Sequence, residues 1–303
     1  MIEPSILAAI AARLTRALAL PNAHYRPLFV AGSAIGVVDD ARARRLAGFA
    51  AFAVHEGHVE LDARLRTRDA RSEAFAAIAA ALRAEGALPA WRDELFAIGI
   101  AFGAPPLFEI ERGAARYFGL PTYAVHVNGV VDDARGDPVA RMWLARRSPA
   151  KAVDPGMLDN LVGGGIAAGY RVDATLVKEA FEEAGIPAAL ARTARPAGIV
   201  HSVKPMFDGL QRESLFVHDL VLPRDFVPAN QDGEAVEHRL VDLPNAARTI
   251  AAAGGADETT VDASLVVLDY LIRHGQVPAD DAAYCGLDAL LHRRVEADRL
   301  PRQ

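Results

Sequence analysis

One 23-residue stretch constrains this chain more than any other: GGIAAGYRVDATLVKEAFEEAGI, residues 164–186. Its second part carries the markers of a single short helix. Asp173 offers an N-cap, Gly185 a left-handed stop, and Leu176, Val177, Ala180, Phe181 and Ala184 recur as an apolar stripe. On the other face Glu179, Glu182 and Glu183 follow at i, i+3 and i+4, so three carboxylates share one turn. Like charges at that spacing repel. They persist either as a solvated acidic face or because a cation neutralises them, and an all-oxygen ligand set suits Mg²⁺ or Mn²⁺. The glycines at 163–165 favour the cation. They let the chain turn tightly into the helix and leave backbone carbonyls able to join the carboxylates.

The rest of the composition narrows the function classes. A chain of 303 residues has room for two domains or one large one and buries its own core without staples. Hydrophobic residues make up 51% and charged residues 24%, which excludes wholesale disorder. The net charge of −6 argues against nucleic acid or an anionic membrane as the partner. No apolar run approaches the roughly 18 residues of a membrane helix. The first residues do not read as a signal peptide, because Glu3 replaces a basic start and Arg13 and Arg16 interrupt the apolar segment. A lone cysteine, Cys285, fits a reducing cytoplasm and is expected to be an inert core thiol. Ala is abundant, with 61 residues, and blurs helix periodicity; Lys is scarce, with only Lys151, Lys178 and Lys204, so each one draws notice.

Elements can be placed coarsely. Helices are expected over the first 20 residues and over 72–84, 245–253 and 260–273. Strands are expected at 34–38, 95–101, 123–131, 139–146, 199–205, 215–222 and 235–240, with a hairpin joining 51–54 to 58–61 and a polar turn at 132–138. The pattern shifts near residue 115, giving an expected N-terminal domain at 1–117 and a second domain at 118–303. The chain therefore reads as α+β.

The acidic helix also identifies a resemblance. Gly164, Glu179, Ala180, Glu182, Glu183, Gly185 and Ile186 fall on the Nudix box, G-x5-E-x7-R-E-U-x-E-E-x-G-U with U apolar. Two positions depart: Tyr170 stands where the first Glu belongs and Lys178 where the Arg belongs. In the family those two brace the loop against the helix, so the departure puts the brace in doubt and leaves the metal site; a Tyr170 contact with the Lys178 stem is one substitute. Segments 142–148, 155–160, 222–228 and 231–234, with 91–95, 108–112 and 123–129, further resemble the Nudix domain attached to fungal thiamine pyrophosphokinases and its stand-alone relatives, which carry an N-terminal domain of unknown function.

The resemblance implies a C-terminal α/β/α sandwich with a mixed sheet behind a smaller α/β domain. It implies metal-dependent hydrolysis of an organic diphosphate, thiamine diphosphate or its oxidised or damaged analogues first, with ADP-ribose or another nucleoside diphosphate derivative, or a non-catalytic diphosphate sensor, as alternatives. Glu179, Glu182 and Glu183 would be catalytic and hold Mg²⁺ or Mn²⁺ with the Gly163 carbonyl. A further catalytic Glu lies beyond the box, with Glu234 the candidate and Asp232 and Glu237 its rivals. Arg146, Arg147, Lys151 and Asn160 are candidates to hold substrate, with Asp159 beside them. Trp143, Tyr123, Phe207 and Phe216 are expected to pack in the core, as are His126 and His201. The N-terminal domain is expected to narrow the cleft and select substrate, or else to form a homodimer.

Overall fold

A computed structural model describes residues 1–131 and 141–294. The polar turn expected at 132–138 lies outside the described residues. The chain opens with α1 (Pro4–Ala17), then β1 (Tyr25–Val30), β2 (Ser33–Asp39), α2 (Asp40–Leu46), β3 (Phe52–Val54), β4 (Val59–Leu61), α3 (Arg68–Ala84), β5 (Leu95–Ile98) and β6 (Phe108–Glu111). A second set follows: β7 (Pro121–Val131), β8 (Arg141–Arg147), β9 (Leu158–Asn160), β10 (Val162–Gly165), α4 (Val172–Ala184), α5 (Ala188–Ala191), β11 (Arg195–Met206), β12 (Gly209–Leu222), β13 (Ala235–Asp242), α6 (Leu243–Ala251), α7 (Val261–Arg273) and α8 (Tyr284–Leu291).

The second set forms a mixed sheet ordered β11-β12-β7-β8-β13, parallel between β12 and β7 and antiparallel elsewhere along that path. Period-2 alternation splits β7 between two cores. Val125, Val127 and Val131 face Leu176, Ala180 and Ala184 of α4, while Ala124 and Val130 join Leu265, Leu268 and Tyr270 of α7 on the other side. This is the expected three-layer arrangement. Burying Leu176 contributes about 1.5–3 kcal/mol to holding α4 on the sheet.

The first set builds a four-stranded sheet, β2-β1-β4-β3, and a separate β5-β6 hairpin around a core of Phe75, Phe108 and Phe118. Its first helix is an exception. Leu7, Ile10 and Leu14 of α1 belong to the same core as α6 and α7. Buried Arg13 fixes that contact, donating to the Ile250 carbonyl at 3.1 Å and to Ser264 Oγ at 2.8 Å.

Several local expectations need correction. The glycines at 163–165 form strand, not loop: they pair with residues 124–126 of β7 in antiparallel register. Ladder bonds along a neighbouring strand outweigh glycine's preference for turns. Asp173 is not the N-cap of α4; Arg171 is, without a side-chain cap, and Asp173 lies in the first turn, where its charge suits the helix dipole. Cys285 is exposed on α8. Phe207 is exposed in the β11–β12 turn, away from any core.

Candidate active site

The site grows from the packing of α4 against β10. The helix stops where Gly185 takes a left-handed φ of 65° and its N–H returns to the Phe181 carbonyl at 2.8 Å. One turn earlier the acidic residues meet the glycine strand. A Cβ at position 164 would lie 2.3 Å from Glu179 Cδ, so only glycine lets that carboxylate lie against the backbone. Glu183 turns the same way, and its Oε2 accepts the Gly163 N–H at 2.7 Å. Glu182 is more exposed.

The electrostatics are those of carboxylates short of positive charge. Burial pushes the Glu183 carboxyl up to about 8, with Asp159 and Glu179 adding to the rise and the Gly163 N–H and Lys151 opposing it. Burial also raises Glu179, against the pull of Lys178. Lys178 itself sits between two of the carboxylates, 3.1 Å from Glu179 Oε1 and 2.7 Å from Glu182 Oε2. It makes no brace with Tyr170, which is half exposed and lines a separate apolar cavity beside the start of α4.

These residues fit a divalent cation. An ammonium already occupies the space between Glu179 and Glu182, and the donors are oxygens throughout, as hard cations require. The three carboxylates do not converge as a trio here. Among the described residues, the group of three whose ligand atoms lie within 4.8 Å of one another is His55, His58 and Glu60 in the β3–β4 hairpin.

The α4 wall opens on a polar cavity of about 370 Å³. Of the expected site residues, Glu179, Glu182, Gly163, Arg147, Lys151 and Glu234 line it, as do Asp159 and Asp232. Lys151 pairs with Glu234, and burial together with Arg147 lowers its ammonium to about 8. Arg147 pairs with Asp159 at 2.7 Å and donates to the Asp154 and Val153 carbonyls.

Two expected substrate residues stand outside the cavity. Arg146 is a structural clamp: its guanidinium holds Glu237 at 2.7 Å, Asp257 at 2.6 Å and the carbonyls of Gly156 and Ala256. Adjacent strand residues point to opposite faces, so Arg146 and Arg147 cannot both face the ligand. Asn160 is buried, and its Oδ1 accepts from His126 Nδ1 at 2.8 Å. Glu237, tied to Arg146 and Arg239, also lies outside.

Sequence reasoning missed most of the cavity. Its floor is a buried network in which Asp262 accepts from Lys204 Nζ at 3.1 Å, Gln211 Nε2 at 3.0 Å and Ser202 Oγ at 2.5 Å. Burial raises the Asp262 carboxyl, but Lys204 and these donors outweigh it and leave it below the usual range. The far wall comes from the β5–β6 region: Arg92, Glu94, Phe96, Arg112 and Arg116. The scarcity of lysine pointed at Lys204; nothing local pointed at the arginines.

Comparison with known proteins defines the class. Residues 122–260 match the NUDIX domain, and residues 8–122 match a domain of unknown function, DUF4743; the chain carries a NUDIX domain behind that module. Its relatives include two Arabidopsis thaliana proteins, "Nudix hydrolase 24, chloroplastic" and "Nudix hydrolase 20, chloroplastic". The first is 40% identical over 236 residues, covering 78% of this chain and 63% of the relative; the second is 38% identical over 239 residues, covering 79% and 62%. The chain thus spans under two-thirds of the length of these curated relatives. A solved structure from Deinococcus radiodurans aligns with 58% of this chain and 99% of its own, at 23% identity and a TM-score of 0.44.

Proposed function

We propose that the chain is a metal-dependent hydrolase of a small organic diphosphate. The observation that carries this reading is the cavity itself. One wall presents Glu179 and Glu182 of a NUDIX box, with Glu183 buried behind them on the Gly163 N–H, and the other presents cations. Relatives named as Nudix hydrolases support the reaction class. Thiamine diphosphate and its oxidised or damaged analogues are the substrates proposed first, on the likeness to domains attached to thiamine pyrophosphokinases. A reducing, cytoplasmic setting is proposed with it, on the strength of the lone cysteine.

In this reading Glu182 and Glu183 hold Mg²⁺ or Mn²⁺ with the backbone of Gly163, and Glu179 holds metal or orients water. A bound divalent ion supplies neutralisation of diphosphate oxygens and acidification of a water. The chain's own residues do the rest. Glu179, lying against Gly164, is placed to receive or steer a proton. Arg147 and Lys151, both tethered by carboxylates, hold a phosphate from the side. Glu234 sets the position of Lys151 and is the further acidic group beyond the box.

Product release from a panel tests this, followed as inorganic phosphate for thiamine diphosphate and oxidised thiamine diphosphate and as nucleotide for ADP-ribose and a dinucleoside polyphosphate, each with and without Mg²⁺ or Mn²⁺. Metal-dependent release from at least one diphosphate is expected, fastest with the thiamine compounds. No release from any member would overturn the hydrolase reading in favour of a binding role.

A further inference from the structure

The wall facing α4 gathers five cations: Arg92, Arg112 and Arg116 from the module of unknown function, and Arg147 and Lys151 from the NUDIX domain. Four are matched by a carboxylate. Arg112 holds Glu94 at 2.8 Å, Arg116 holds Asp208 at 2.6 Å, Arg147 holds Asp159 at 2.7 Å and Lys151 holds Glu234. Arg92 differs. Its backbone N–H donates to Glu111 Oε1 at 2.7 Å, but its guanidinium has no hydrogen bond or ion pair to any described residue. Burial disfavours its charge, and repulsion from Arg112, Arg147 and Arg116 adds to that, with Glu94 alone opposing.

Arg112 shows how far this wall reaches across. A Cβ at Gly165 would meet the Arg112 guanidinium carbon at 3.1 Å, so the module's arginine lies against the strand that α4 packs on. It also feels the Glu179 carboxylate. The cavity is thus acidic on one side and basic on the other. The basic side holds a planar, five-donor group that no described residue uses. Of the five, Arg92 alone lacks a counter-ion among the described residues; holding its charge partly buried beside three other guanidiniums costs stability, and an anion bound there removes that cost. Phosphoryl oxygens match the guanidinium fork in both geometry and charge.

We propose that Arg92 is a substrate-binding residue that grips the phosphoryl oxygens of the diphosphate from the side opposite the metal-holding carboxylates. The complete site is then shared between the two domains, and the module of unknown function adds a second anion hold to the one Arg147 and Lys151 of the NUDIX domain provide. This rests on the hydrolase reading for its substrate, but not for its anion.

The test uses the full chain with Arg92→Ala and Arg92→Lys. Arg92→Ala is expected to raise KM for the best diphosphate of the panel about 10- to 100-fold, the loss of a charge-assisted hydrogen bond. Its kcat and the Mg²⁺ concentration for half activity should stay near the parent values, and its melting temperature should not fall. Arg92→Lys keeps the charge without the fork and should recover part of the loss. Calorimetric titration with inorganic pyrophosphate should show the same ranking of the three proteins. Parent-like KM and parent-like pyrophosphate affinity in Arg92→Ala overturn the proposal; if that variant does not fold, the same result in Arg92→Lys does so. An Arg92-dependent affinity for pyrophosphate in a chain that hydrolyses no diphosphate upholds the anion hold and removes the hydrolase reading instead.

Discussion

The two walls of the cavity obey opposite electrostatics and have opposite origins in the chain. The acidic wall is local: three glutamates within about one turn of α4, meeting a strand that is the neighbouring element upstream, with Glu183 20 positions from Gly163. The basic wall is assembled from afar, by a hairpin of another domain and by Arg116 reaching Asp208, 92 positions away. Each wall alone is a liability. Burial raises the Glu179 and Glu183 carboxyls on one side, and burial with repulsion from neighbouring guanidiniums lowers Arg92 on the other. The contrast teaches that neither wall is there for stability. On the proposed reading a divalent cation would relieve one and a diphosphate the other, so that the ligand completes the charge balance the fold leaves open.

The largest expected effect comes from attacking the acidic wall at its ligands. Glu182→Gln keeps size and removes charge at a partly exposed position, so the fold should survive. If Glu182 holds metal, kcat with saturating Mg²⁺ should fall about 10²–10³-fold, several kcal/mol of lost charge stabilisation. Full turnover in that variant would remove the residue from the site. Packing beneath the wall is nearly as sensitive. Leu176→Ala leaves a cavity between α4 and β7 and should cost about 2–5 kcal/mol in urea unfolding; a smaller cost would mean that α4 is held by its glutamates' contacts with β10 rather than by its apolar stripe.

Next in size is the pH response, which sharpens the comparison because the two walls move oppositely. Glu183 has a folded pKa near 8, above its unfolded value, so the metal-free native state binds more protons than the unfolded chain across the interval between them. Its contribution to stability therefore falls as pH rises from about 4.5 towards 8. Lys151, depressed to about 8, has the other sign and recovers stability only above that pH. Mg²⁺ should consequently stabilise the protein more at pH 8 than at pH 5. At a free ion concentration 100-fold above Kd the gain is about 2.7 kcal/mol, roughly 5–10 °C in melting temperature. Equal shifts at both pH values would show that Glu183 is not part of the cation site.

How much of this was visible beforehand follows the same divide. α4 announced itself, since its apolar stripe and its carboxylates recur with the helical period and Gly185 ends it. The strands β7, β11 and β12 were legible through β-branched runs. β10 was not: three glycines favour a turn when read locally, and only pairing with His126, Val125 and Ala124 makes them strand. β1, β6 and α2 are short, at six, four and seven residues, which leaves too little period to read, and in α2 two alanines fit either face. The basic wall had no sequence signal, because Arg92, Arg112 and Arg116 have no common period and become neighbours only when β5 and β6 pair. Arg146 and Arg147 show the limit of spacing arguments from the other side. Both preceded the box closely, yet strand alternation sends one to the cavity and the other to Glu237 and Asp257. Arg146→Ala should accordingly lower stability by about 1–3 kcal/mol and leave KM unchanged; a raised KM with unchanged stability would reverse the two arginines' roles.

The smallest expected effect concerns the one residue of the acidic wall that carries the opposite charge. Lys178 stands where the family's box has Arg, and here its ammonium bridges Glu179 and Glu182. Those two pairs raise its pKa although its own desolvation opposes them, so it remains charged at any working pH. A metal ion entering between the same carboxylates must displace it. Partly exposed ion pairs contribute only about 0.2–1 kcal/mol each, so the lysine is a weak competitor, easily turned out into solvent. Lys178→Ala should lower the Mg²⁺ concentration for half-maximal activity by about threefold, within the range those pair energies allow, while leaving kcat in place. A higher Mg²⁺ requirement would instead make Lys178 a support for the glutamates' geometry. The ammonium would then hold the two carboxylates apart in readiness for the ion, rather than standing in for it.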